Sequence, residues 1–291
     1  MQGAAGAGLT VVGAVLAMLA LNAPDGGRAA SGKGQAQIGE ARPGQLTVAL
    51  PDAVADIAIT EARAPGRPIV LIDPGHGGRD PGAPAVSGAI SEKQLTLIMA
   101  RELRDLLAKR GRVRVALTRD DDRYLTLDQR AALADRIGAN LYLSLHMDSA
   151  PNPLARGATF YSLSDVASDD EAARLASREN AAGGAASSAQ DGSVEAMLSD
   201  LALREQMAAS ADLAIRMVRK ARGRVLLRPE PHRFAAFHVL KQAEVPAVLV
   251  EAGYVSNADD EVGLTSPESR ARIVIALADA IEADVAARSA R

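Results

Sequence analysis

From residue 68 onward the hydrophobic positions fall into short dense runs: Ile69 to Ile72, Val113 to Leu117, Leu141 to Leu145 and Ala247 to Val250. Runs of four or five aliphatic residues, bounded by turn formers, are the pattern of strands buried on both faces. Between them the apolar spacing lengthens over Glu92 to Arg110 and Leu127 to Ile137, which predicts helices. A last helix is predicted over Pro267 to Ala287, with Ile273, Ile275, Leu277, Ile281 and Val285 making its apolar contacts. Strand and helix in alternation predict an α/β fold: a three-layer, mostly parallel twisted sheet flanked by helices.

Residues 164 to 210 break this rhythm. They hold helix-forming pieces around an Ala, Gly and Ser tract, too long for a simple connection, and predict either a helical lid or a disordered spacer. At the other end, Gly8 to Leu21 is an apolar run cut short by Asn22, Pro24 and Asp25. It is too short to span a bilayer comfortably, so segment 1–23 reads as a signal peptide, with an uncleaved N-terminal anchor as the alternative. Residues 24–67 read as a low-complexity linker carrying one strand-like stretch, Leu46 to Leu50. The compact domain is expected over 68–288.

Composition narrows the chemistry. The net charge of −3 supplies no basic field, so a nucleic-acid partner is not expected. With no cysteine among 291 residues, any metal must be held by His, Asp or Glu.

Two of the four histidines follow apolar strands. His76 lies in the turn Asp73-Pro74-Gly75-His76-Gly77-Gly78, and His146 directly follows Leu141 to Leu145. In open α/β sheets ligands gather at the carboxyl ends of strands, so the two imidazoles can converge. Glu92 opens the first predicted helix after Ser91. It either favours the helix dipole, worth about 0.3–1 kcal/mol, or completes a His-and-Glu metal set with one position left for water. Glu251 ends another core strand, where a buried carboxylate is either paired with an arginine or used as a general base.

In order, DPGHGGRDPGA at 73 to 83, SEK at 91 to 93, TRDDD at 118 to 122, LSLHMDS at 143 to 149 and PAVLVEAGYVSNADDE at 246 to 261 resemble the zinc-dependent N-acetylmuramoyl-L-alanine amidases of the amidase-3 type. The resemblance covers about residues 68–288. It implies that His76, Glu92 and His146 hold one zinc ion, that Glu251 is the catalytic carboxylate, and that the substrate is the amide between N-acetylmuramic acid and L-alanine in peptidoglycan. Met147-Asp148 departs from the Ala-Asn or Ala-Asp usual in the family, which bears on packing beside the second histidine.

The 164–210 stretch resembles the insertion of division-associated periplasmic amidases, in which a helix blocks the zinc until an activator, a LytM-domain protein, moves it. That implies an exported, periplasmic enzyme of cell-wall remodelling and daughter-cell separation. Glu179 is the expected blocking residue, with Glu171 and Glu195 as rivals and a solvated helix face as the bland alternative. Arg119 and Arg233 are candidate contacts for stem-peptide carboxylates, while His232 and His238 are expected in surface or structural roles. A zinc carboxypeptidase-like peptidase and a non-catalytic wall-binding scaffold are the competing readings.

Overall fold

The computed structural model describes residues 57–182, 194–241 and 243–290. The signal segment, the strand-like stretch at 46–50 and the Ala, Gly and Ser tract at 183–193 lie outside the described residues. In chain order the elements are β1 (Ile59–Thr60), β2 (Ile69–Pro74), α1 (Glu92–Arg110), β3 (Arg114–Leu117), α2 (Leu127–Arg136), β4 (Leu141–Asp148) and β5 (Ala158–Leu163). They continue with α3 (Asp170–Ala182), α4 (Val194–Ala221), β6 (Leu227–Ala235), α5 (His238–Lys241), β7 (Ala247–Tyr254), α6 (Ala258–Thr265) and α7 (Pro267–Ser289).

The strands form one mixed sheet in the order β1-β3-β2-β4-β7-β5-β6. β3, β2, β4 and β7 run parallel, which brings the ends of β2, β4 and β7 together along one edge. β5 pairs antiparallel with β7, and β6 runs parallel to β5, so the last two strands point the other way. β1 pairs antiparallel with β3, so the sheet begins before residue 68.

Alternation along the strands separates two cores. Val70, Ile72, Leu143, Leu145, Val248 and Val250 face one cluster, covered by α1, α4 and α7; Leu71, Tyr142, Tyr161 and Leu249 face the other, with α2, α3 and α5. On α1, Leu95, Met99, Leu103 and Leu107 recur at helical spacing and are fully buried, each worth about 1.5–3 kcal/mol. That helix ends at Gly111, whose φ of 67° is the left-handed conformation that glycine adopts without a Cβ penalty. α2 begins with a capping box: Gln129 N donates to Thr126 Oγ1 at 3.2 Å, and Thr126 N donates to Gln129 Oε1 at 2.9 Å.

The expected insertion is narrower than its sequence boundaries. α4 runs through residue 210, and its later turns place Leu213, Ala214 and Met217 fully inside the first core. The element lying over the strand ends is α3.

Candidate metal centre

β2 delivers Asp73 into the interior, 1% exposed, where it accepts from Arg130 Nη1 at 2.7 Å, Thr118 Oγ1 at 2.6 Å and Ser144 Oγ at 3.0 Å. Burial alone would raise this carboxyl, but the Arg130 charge and the hydrogen bonds hold it at about 2. Arg130 also donates to Pro74 O at 2.8 Å and to His76 O at 2.6 Å, fixing the turn that follows. His76 sits there at φ 60°, a left-handed conformation costing on the order of 1–3 kcal/mol in a non-glycine residue. Gly75 is required by close approach: a Cβ there would lie 2.3 Å from His146 Cε1.

Four side chains then meet. His76 Nε2 lies 3.0 Å from Glu92 Oε1 and 3.5 Å from Glu179 Oε2; His146 Nδ1 lies 3.1 Å and 3.6 Å from the same two oxygens. The imidazoles are nearly perpendicular, at 76°, with centroids 4.8 Å apart. Asp80 Oδ2, 2.8 Å from His76 Nδ1, accepts the proton of that nitrogen and leaves Nε2 as a lone-pair donor toward the centre. Nε2 is buried and has no hydrogen-bond partner among the described residues, although the Glu92 oxygen is near.

This donor set fits a divalent cation. Ligands about 2.0–2.1 Å from a tetrahedral zinc would be about 3.4 Å from one another; the four separations between histidine nitrogens and carboxylate oxygens, 3.0 to 3.6 Å, bracket that edge, and His76, His146 and Glu179 offer ligand atoms within 4.8 Å of one another. Glu92 is held for the purpose at both oxygens: Ala83 N donates to Oε2 at 2.9 Å and Met147 N donates to Oε1 at 3.0 Å. The charge points the same way. Burial favours the neutral His76 ring, yet Glu92, Asp80 and Glu179 raise it to about 10, showing how strongly this pocket favours a positive charge. Glu92 is lowered by the two histidines against its own burial. Glu251 stands opposite His146 in the β4–β7 ladder, 1% exposed, and is raised well above the usual carboxylate range by burial and by Asp148, Glu92 and Glu179.

The family model for amidase-3, N-acetylmuramoyl-L-alanine amidase, matches residues 70–283. The chain belongs to this family. AmiA of Escherichia coli K12, an N-acetylmuramoyl-L-alanine amidase, is 33% identical over 220 residues, 74% of this chain and 75% of that protein. A probable AmiB of Haemophilus influenzae is 35% identical over 212 residues, 70% of this chain but 49% of that longer protein. Among solved structures, the catalytic domain of the amidase CwlV from Bacillus (Paenibacillus) polymyxa var. colistinus superposes with a TM-score of 0.51 at 26% identity, covering 74% of this chain and 96% of that one. The amidase AmiC2 of Nostoc punctiforme gives the same TM-score, identity and coverages.

Within this amidase domain, Arg119 departs from its expected place. It is 1% exposed, and its guanidinium donates to the carbonyls of Pro74, Gly75, Lys93 and Asp121 and to Thr96 Oγ1. No side of it is left for substrate; it braces the His76 turn from beneath. Arg233, on β6, is buried against Asp169 and lies 3.5 Å from Glu171. Glu171 itself pairs with Arg228, so of the three acids expected near the histidines, Glu179 is the one that reaches them; Glu195 has no described side chain. His232 and His238 bond Ser162 and Asp128 respectively. Met147 packs in the first core and leaves its backbone N–H to Glu92.

Asp80, which is not assigned to the site from the sequence, follows His76 by four residues in the same Gly-rich turn, an i,i+4 signal for its partner. Arg178, which reaches Asp148 Oδ1 at 3.3 Å and Ser149 O at 3.2 Å, carries no sequence signal.

Proposed function

We propose that this protein is an exported zinc hydrolase that cleaves the amide between N-acetylmuramic acid and the L-alanine of peptidoglycan stem peptides. The observation that carries the reading is the meeting of His76 Nε2, Glu92 Oε1 and His146 Nδ1, with the Glu92 oxygen 3.0 and 3.1 Å from the two nitrogens. His76, Glu92 and His146 would hold the ion, and a bound zinc ion supplies Lewis acidity toward a water molecule and the scissile carbonyl. Glu251 takes the proton from the attacking water and returns it to the leaving nitrogen. A carboxyl raised by burial and neighbouring charge is matched to that two-way transfer near neutral pH. Glu179 would be a further residue holding the ion in a resting state, and α3 is the lid that carries it. The lid and the resemblance to division-associated amidases support a periplasmic role in daughter-cell separation, with a LytM-domain protein as the activator that lifts α3.

The test is metal analysis of the purified full chain combined with digestion of sacculi. About one zinc per chain and release of intact stem peptides with a free L-alanine amine are expected. Release of terminal amino acids instead would point to a peptidase and overturn the reading.

A further inference from the structure

The far end of α3 occupies a second, half-buried site. Arg228 donates to both oxygens of Glu171, at 2.6 and 3.1 Å. The Tyr254 hydroxyl donates to Glu171 Oε1 at 3.2 Å and itself contacts Arg228. Arg233 approaches the same carboxylate at 3.5 Å while pairing with Asp169, just before α3. Two arginines with a forked contact and a phenolic donor make up a carboxylate receptor of the kind that recognises ligands.

β6 is shaped to assemble it. Ala158 pairs with Leu227 and Phe160 with His232, so two steps on β5 face five on β6. That bulge brings Arg228 and Arg233 toward one point on an edge strand whose Pro229 and Pro231 need no ladder donors. The site also continues to the reaction centre. Tyr161 stands opposite Arg233 in the β5–β6 ladder, and Thr159, two residues before it, stands opposite Glu251 on β7. The Tyr161 hydroxyl and Arg233 Nε are buried, and neither has a hydrogen-bond partner of good geometry among the described residues. An anchor evolved only to hold a helix does not call for polar atoms left over along its approach.

We infer that Arg228, Arg233 and Tyr254 bind a carboxylate of the substrate's peptide, and that α3 closes the enzyme by presenting its own acids in that carboxylate's place. The inference rests on the amidase reading and deepens it. Glu171 and Glu179 are eight residues apart on one helix, so they lie about 12 Å apart along its axis at 1.5 Å per residue. An extended peptide covers about 3.3–3.6 Å per residue. The receptor therefore suits an acidic group three to four residues beyond the scissile amide, on a peptide running along the face that α3 covers.

The test is calorimetric binding of L-Ala-γ-D-Glu-meso-diaminopimelate, as free acid and as carboxamide, to the full chain and to an Asp169→Ala, Glu171→Ala variant that empties the receptor. The free acid should bind the variant at least about tenfold more tightly than the wild type, and about tenfold more tightly than the carboxamide does. Adding Arg228→Lys, which keeps charge but loses the fork, should abolish the preference for the free acid. Tyr254→Phe, which removes a single donor, should reduce it. Equal binding of acid and carboxamide to the emptied receptor, or a preference untouched by both substitutions, would overturn the inference. Binding is read without turnover, so the two readings fail separately. Acid-selective binding without sacculus hydrolysis would sink the amidase assignment and leave the receptor standing, and hydrolysis without acid selectivity would do the reverse.

Discussion

Replacing Arg130 by methionine removes a cation that is 3% exposed while leaving the apolar length of the side chain in place. Its partner Asp73, 1% exposed, would keep the Thr118 and Ser144 donors and lose the compensating charge. Breaking a buried pair from one side costs about 3–5 kcal/mol; the His76 carbonyl also loses its Arg130 donor, while the Pro74 carbonyl keeps Arg119. For a domain of this size that corresponds to a melting temperature about 10 °C lower.

The pH dependence distinguishes this cause from a packing defect. In the wild type the folded Asp73 carboxyl is lowered from 3.8 to about 2, contributing about 2 kcal/mol above pH 4 that is lost as pH falls toward 2. Without Arg130, burial is opposed only by the remaining hydrogen bonds and raises the carboxyl above 3.8, so the variant is destabilised at neutral pH and recovers as the group protonates. The deficit measured by urea melts should therefore shrink steadily from pH 7 to pH 4. Adding Asp73→Asn, which cannot charge, should recover about 2 kcal/mol at pH 7. A deficit that is constant across this range, or a loss of less than about 2 °C, would refute the reasoning.

Three further outcomes follow from the site. Glu251→Gln keeps the shape but cannot carry the proton, so turnover of sacculi should fall by about 10²–10⁴-fold with zinc content unchanged; substantial residual turnover would remove Glu251 from the proton path. Gly75→Ala drives a methyl group to 2.3 Å from the His146 ring, and zinc measured by plasma mass spectrometry should fall well below one per chain; a full complement of metal would mean the two turns do not support each other as described. Glu179→Ala withdraws a carboxylate 3.5 and 3.6 Å from the histidine nitrogens, and basal hydrolysis should rise about tenfold, the equivalent of about 1.4 kcal/mol of closed-state preference; unchanged basal activity would make α3 a fixed part of the domain.

What was legible in the sequence follows from what each strand buries. β2, β4 and β7 read correctly because they are sandwiched between two cores and hold almost nothing polar until their ends; the charged or ionisable residues toward those ends include Asp73, His146, Asp148 and Glu251. β5 is equally buried at every position, yet Thr159 and Ser162 interrupt its apolar run, and β6 carries two prolines and three charged residues, so neither has a strand pattern. Their polar positions are not random faults in a core. Thr159 stands opposite Glu251, and Tyr161 pairs with Arg233 beside the acids of α3. A strand that gives up interior positions to a site loses its apolar pattern, whereas β2, β4 and β7 carry their functional residues at or near their ends and keep it.

Arg119 fails for the opposite reason. It lies beside signature residues, but alternation past a strand end does not tell which way a side chain turns, and here it turns inward to satisfy five acceptors of the backbone and Thr96. Proximity in sequence to a metal motif therefore has two physical meanings, contact with the ligand or support of the turn that presents it. Only the count of satisfied donors separates them: Arg119 has its donors committed, whereas Arg233 retains a buried Nε without a partner among the described residues.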